Sequence, residues 1–345
     1  MKTKKRMIMI AMILVLALAL GACGKKKEQA KQDPQPSQQG QTQPAQQGSQ
    51  EQSAPASQEK KDDAQQGKGE SKPAQSNTSK DQTIPRNDSV FKDFLAGNEK
   101  VGVFEAFASD VRMLGADYKT GTFMSIDELI KVCTSEMTEA SKPQISWAPV
   151  EDSDSYVMSM VFTMGSEDFT QYYVISDSGK GLSLDFAIDG WSRRTPEINI
   201  HGVVKDFGSN GAASHSSAVW VPDKGGAYHL ISETDEVGDG FSLYDKKGEP
   251  RTGINQVMDA VYADKSLPTD GLVFGVTVSE GKDYYYYSRP KLTAADVKAI
   301  DAVAAKSGFT FAGLGEIRKV VKANAAKYGA EEKMEADKLI ELKAQ

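Results

Sequence analysis

Between Gly24 and Thr83 the chain contains no aromatic residue and no Val, Ile, Leu or Met. A polypeptide folds because apolar burial offsets the entropy of ordering, and these sixty residues of mostly Gln, Ser, Pro, Lys and Gly have almost nothing to bury. The stretch therefore reads as a disordered tether with a root-mean-square reach of about 45 Å. Any fold must be built from the residues C-terminal to it, with order beginning near Ile84. The expected organisation is a leader at 1–22, a tether at 23–83 and a single domain at 84–345.

The leader itself is informative. Lys2, Lys4, Lys5 and Arg6 precede an apolar run from Met7 to Leu20, followed by Gly21, Ala22 and Cys23. A charged start, a short apolar core and small residues form the pattern of a signal peptide. As a helix the apolar run rises only about 21 Å, short of a ~30 Å hydrocarbon core, which favours removal over spanning. Leu20-Gly21-Ala22-Cys23 resembles the lipobox of bacterial lipoproteins. The resemblance implies cleavage between Ala22 and Cys23 and a diacylglyceryl group on the Cys23 sulfur. Two acyl chains (palmitate is typical) suffice for stable anchoring, and Lys25, Lys26 and Lys27 would follow at the head groups. The expected location is the extracytoplasmic face of the cell membrane.

Composition removes several function classes. The formal charge is −7, or −11 without the four positive charges of the leader. An acidic chain with no basic stripe is not built for nucleic acid. Cys133 is the one other cysteine, so neither a disulfide framework nor a multi-thiolate zinc site is expected. It falls on the apolar stripe of a helix and reads as a small core residue. No Walker or Rossmann glycine loop appears, and no cofactor is expected. His201, His215 and His229 lack the spacing that puts two ligands on one face, so no metal is expected either. The acidic runs at 151–154 and 233–239 do not follow the EF-hand loop and read as hairpin turns.

Within the foldable part, Val90, Phe91, Phe94 and Leu95 mark a short helix stopped by Gly97 and Asn98. Ser125 and Glu128 form a capping box opening a helix over 125–138. From about 145 to 288 the apolar period becomes two. Strands are expected at 156–164, 169–175, 182–188, 197–204, 218–221, 227–233, 240–244, 272–278 and 284–288. Their short separators argue for hairpins and antiparallel pairing. Helices are expected at about 254–263, at 293–307 with Thr293 and Asp296 at its cap, and at 313–328, with a charged tail at the end. The predicted fold class is α+β, an antiparallel sheet of about seven to nine strands with helices from both sequence ends packed on it.

Three stretches resemble a group of uncharacterised lipoproteins from Gram-positive, clostridia-like bacteria. They are FKDFLAGNEKV at 91–101, like the FL-x-G helix opening those domains after a tether; the Trp-Ser-Arg strand, Gly-rich segment and Asp-x-x-Gly hairpin within 189–231; and the helical closing segment at 290–309. The acidic Gly-rich repeats common in that group are missing from this chain. The resemblance implies location and architecture and brings no activity with it.

The most suggestive ligand surface is Trp191, Arg193 and Arg194 together with His215. Trp and Arg stack on sugars or grip carboxylates, and His215 lies among Asp206 and Ser209, Ser214, Ser216 and Ser217. No G-x-S-x-G elbow accompanies those serines, so no catalytic residue is assigned. The expected role is a non-enzymatic binding module for a cell-wall component, a small ligand or a protein. The alternative is a secreted hydrolase acting on an envelope or extracellular substrate.

Overall fold

The computed structural model describes residues 88–135, 141–211 and 213–345. The expected signal peptide at 1–22, Cys23 and the expected tether lie outside the described residues. In chain order the elements are α1 (Ser89–Leu95), β1 (Val101–Asp110), β2 (Phe123–Met124), α2 (Ile126–Thr134), β3 (Gln144–Pro149), β4 (Ser155–Met164), β5 (Glu167–Asp177) and β6 (Leu182–Gly190). Next come β7 (Arg194–Ile198), β8 (Val204–Gly211), β9 (Ser214–Pro222), β10 (Tyr228–Val237), α3 (Thr252–Ala263), β11 (Val273–Ser279) and β12 (Lys282–Ser288). The chain closes with α4 (Ala294–Lys306), α5 (Leu314–Ala326), α6 (Glu331–Met334) and β13 (Lys343–Ala344).

The architecture is α+β, as expected, but the strands form two sheets rather than one. The first has the order β13-β3-β4-β5-β6-β1-β2, the second β12-β11-β10-β9-β8-β7. The second is a pure antiparallel meander. The first contains one parallel pair, β1 beside β6, with a bulge between Val103 and Ala108, and one long-range antiparallel pair, β13 beside β3.

Period-two residues decide the layering. In β4, Tyr156, Met158, Met160 and Phe162 face one way, onto α1 and α2, where Phe91 stacks on Tyr156 at 4.2 Å. From the same sheet, Val157, Val174, Phe186 and Ile188 face the other way, onto Ile198, Val204 and Tyr228 of the second sheet. Helices α3 and α4 cover Phe274 and Val276 at the far end of that sheet. Both expected capping boxes form, Ser125 with Glu128 and Thr293 with Asp296.

Three local expectations are corrected. Residues 197–204 are not one strand: β7 ends at Ile198, a turn held by Asn199 Oδ1 intervenes, and β8 begins at Val204. Residues 240–244 form no strand, only a bridge from Tyr244 to Pro250. The Gly- and Ser-rich stretch around His215, which reads as a polar loop, is the β8–β9 hairpin.

Candidate functional site

Pairing in the second sheet sets two adjacent rows of side chains on one face. The first row runs Phe207, Ser217, Thr234, Thr277, Tyr284 across five strands, and the second Ser209, His215, Glu236, Gly275, Tyr286. Apart from Gly275 and the two ends these rows carry hydroxyls, an imidazole and a carboxylate, while Val219, Val221 and Ile231 of the same strands pack against α5. Helix α5 covers only part of it. The amide of Asn324 fixes that helix, donating to the Ile231 carbonyl at 2.8 Å and to Ser279 Oγ at 3.2 Å, where an extra residue bulges β10 between Leu230 and Ser232.

Beside α5 the face opens into a trough. One part, about 350 Å³, is lined by Phe207, His215, Ser217, Thr234, Glu236 and Tyr286. The other, about 480 Å³, lies between Ser232, Thr234 and Thr277 on the sheet and Ile317, Arg318 and Lys322 on α5. Thr234 lines both, so the two adjoin at that residue, and each falls within the size range of small-ligand sites. The floor is rigid. Thr234 and Thr277 join hydroxyls at 2.9 Å. The Tyr286 ring lies against Gly275, where any Cβ would stand only 2.4 Å from it, and its hydroxyl donates to Glu236 Oε1 at 2.8 Å. Burial and the neighbouring Glu236 carboxylate hold that hydroxyl well above the usual phenol range, so Tyr286 stays a neutral donor. On the α5 wall Lys322 pairs with Glu335 at 2.9 Å, whereas exposed Arg318 has no ion-pair partner among the described residues.

Of the expected ligand surface, only His215 lies in this trough. Arg194 is a correction: it is 2 % exposed, lies between the sheets and presents nothing to solvent. Its Nη1 donates to Asp189 at 2.6 Å and to the Asp110 carbonyl at 2.8 Å, its Nη2 to Asp110 at 2.7 Å, and its Nε to both Asp206 oxygens at 3.0 and 2.9 Å. The second oxygen of Asp189 accepts the backbone N–H groups of Arg112, Met113 and Leu114, tying down the chain beyond β1. Half-buried Trp191 stacks on the Arg194 guanidinium at 5.6 Å, and Arg193 alone of the three is exposed. The run WSRR thus marks a buried ion cluster, and Asp206 belongs to that cluster and not to a triad with His215.

The remaining candidates are structural. Cys133 is fully buried with its sulfur against the Tyr173 hydroxyl, which also bonds Tyr118 at 2.9 Å, and burial pushes the thiol up and away from reactive thiolate. His201 lies 3.8 Å from Asp152, and His229 bonds Asp223 at 2.8 Å while stacking on Tyr328. Among the described residues no three His, Cys, Asp or Glu side chains are grouped to hold a metal ion. Glu236, read from sequence as part of an acidic turn, and Tyr286, read as part of an aromatic run, belong to the site. Phe207, Thr234 and Arg318 carry no sequence signal for it.

Fold and site together define a two-sheet α+β protein with an open, hydroxyl-lined trough on its second sheet. Comparison with protein-family models, with curated proteins and with solved structures finds no match for this chain.

Proposed function

We propose that this chain is a lipid-anchored protein of the extracytoplasmic membrane face, held through Cys23, whose folded domain binds an envelope or extracellular ligand in the trough. The anchor reading rests on the sequence from Lys2 to Cys23. The binding reading rests on one observation: two adjacent rows of polar side chains, Ser217, Thr234 and Thr277 beside His215 and Glu236, lie open on one sheet face next to a helix. Closed polar networks on a stable sheet cost little to keep and leave fixed donors and acceptors for a ligand.

Replacing Cys23 with Ser should move the protein from the membrane fraction to the soluble one, and unchanged membrane retention would sink the anchor. Thermal unfolding of the full chain against wall fragments, sugars, peptides and cations tests the trough. A ligand at a hundred times its dissociation constant stabilises the folded state by about 2.7 kcal/mol. Ser217→Trp, which fills the trough, should abolish that gain.

A hydrolase is the second reading, because His215, Ser217 and Glu236 line one cavity. Turnover of any compound that binds, lost in His215→Ala, would establish it.

A further inference from the structure

We infer that the ligand of the trough is an oligosaccharide bearing a carboxylate; this rests on the reading of the trough as a binding site. Three observations carry it.

The first is where the floor lies. Ser217, Thr234 and Thr277 stand on β9, β10 and β11, each hydrogen-bonded to a neighbour on both sides. The ladders already use the backbone groups there, so a peptide cannot add itself as a strand, which requires a free sheet edge. Recognition falls to side chains, and these are mainly hydroxyls. A hydroxyl donates and accepts at once, so a row of them complements a chain of sugar hydroxyls better than it does apolar peptide side chains. The second is the aromatic end. Phe207 is 48 % exposed beside the floor, a setting suited to the C–H face of a sugar ring. The third is the charge at the opposite end. Arg318, with no ion-pair partner among the described residues, projects from α5 at the rim, and its guanidinium matches a carboxylate in two parallel hydrogen bonds. Glu236 lies at the other end of the trough, bonded to Tyr286, and Glu335 beside Arg318 is paired with Lys322, so among the described residues Arg318 is the trough's cation without an ion-pair partner. The ligand therefore runs from a ring on Phe207, across the hydroxyl floor, to an acidic group on Arg318.

The test is calorimetric titration of the full-length chain in detergent with a four-ring uronic-acid oligosaccharide, a neutral glucan of equal length and an acidic peptide of equal charge. Far-ultraviolet circular dichroism would confirm that each variant is folded. The acidic sugar should bind about tenfold more tightly than the neutral one, as expected for one charge-assisted pair. Arg318→Ala should bring the acidic sugar down to the affinity of the neutral one, and Phe207→Ala and Thr234→Val should weaken both sugars. Equal affinity for the two sugars, or a preference untouched by Arg318→Ala, overturns the inference. Binding of the peptide but not the sugars, lost in Thr234→Val, overturns it too but leaves the trough as a site. Failure of all three probes to bind removes the inference, and if Ser217→Trp also leaves every ligand-induced thermal shift intact, the trough reading falls with it.

Discussion

Arg194 and Asp185 are both charged and buried, yet they act on stability in opposite directions. Arg194 faces Asp110, Asp189 and Asp206 with nearly every donor used. Removing one partner of a buried ion pair strands the others, at a cost of about 3–5 kcal/mol. Arg194→Leu takes the guanidinium from three carboxylates, leaving Asp189 its backbone N–H donors and Asp110 its bond from Arg112, so it should lower unfolding free energy by about that much. Arg194→Lys keeps the charge but loses the fork, and should cost about half as much. Urea denaturation with unchanged slope would measure both, and a loss below about 1 kcal/mol for the Leu variant would contradict the role assigned. Asp185, by contrast, occupies the bulge in β6 with one carboxylate oxygen that has no hydrogen-bond partner among the described residues. Burial pushes its pKa up to about 6. Its folded pKa lies above its unfolded value, so below about pH 4 both states are protonated and no penalty exists. As pH rises to 6 the unfolded chain loses the proton first, and stability falls by about 3 kcal/mol. Asp185→Asn should therefore stabilise the protein by on the order of 2 kcal/mol at pH 7.5 and hardly at all at pH 4. A gain equal at both pH values would show that ionisation is not the cause.

The last ten residues, a charged tail in composition, behave as a structural element. Ile200 N–H donates to the Lys338 carbonyl at 3.0 Å, Ile340 N–H to the Ile198 carbonyl at 2.9 Å and Gln345 N–H to the Ile145 carbonyl at 3.1 Å. Ile340 and Leu342 pack against the core shared by the two sheets, and β13 extends the first sheet. The segment thus links both sheets, and deleting residues 337–345 should cost about 3–6 kcal/mol from its hydrogen bonds and apolar contacts. Denaturation of the truncated chain would check this; undiminished stability would make the strap ornamental. Its role is hidden in the sequence because Leu339, Ile340 and Leu342 are too few, among charges, to show a period. Strands buried on one face, such as β11, and helices with capping boxes are legible. Strand β6 carries Asp185 and Asp189 at buried positions, and burial on both faces hides the fact that it separates two layers. The β8–β9 hairpin escapes for a related reason. Its open face holds Ser209, His215 and Ser217, so no apolar alternation marks it as strand. The composition that conceals the element is the composition that makes it a binding face, which is why His215 and the serines beside it stand out in the sequence as residues but not as a strand, while Phe207, Thr234 and Arg318 carry no signal.

At the scale of the whole molecule, the distribution of apolar residues predicts a sharp division in resistance to proteolysis. A protease needs about a dozen residues of extended chain, and inside a packed domain these become available only by local or global unfolding. Even about 4 kcal/mol of local stability slows cleavage about a thousandfold when opening is rapid. Residues 24–83 contain no aromatic residue and no Val, Ile, Leu or Met, and they carry Lys25, Lys26, Lys27, Lys31, Lys60, Lys61, Lys68 and Lys80 as trypsin sites, Lys72 being blocked by Pro73. The domain beyond offers its lysines and arginines on strands, helices and short turns bound into two sheets. Brief trypsin treatment of membranes should therefore release a fragment beginning at Asp81 or Asn87 and leave the Cys23 end with the lipid. Mass spectrometry of the supernatant would identify its first residue. A stable product that retains residues 40–70 would mean that the segment is protected by a partner or by structure of its own. Simultaneous cuts between residues 101 and 335 would mean that the two sheets lack the cooperative packing described. Release of an intact fragment that still binds its ligand would show that the trough needs neither residues 24–83 nor a membrane.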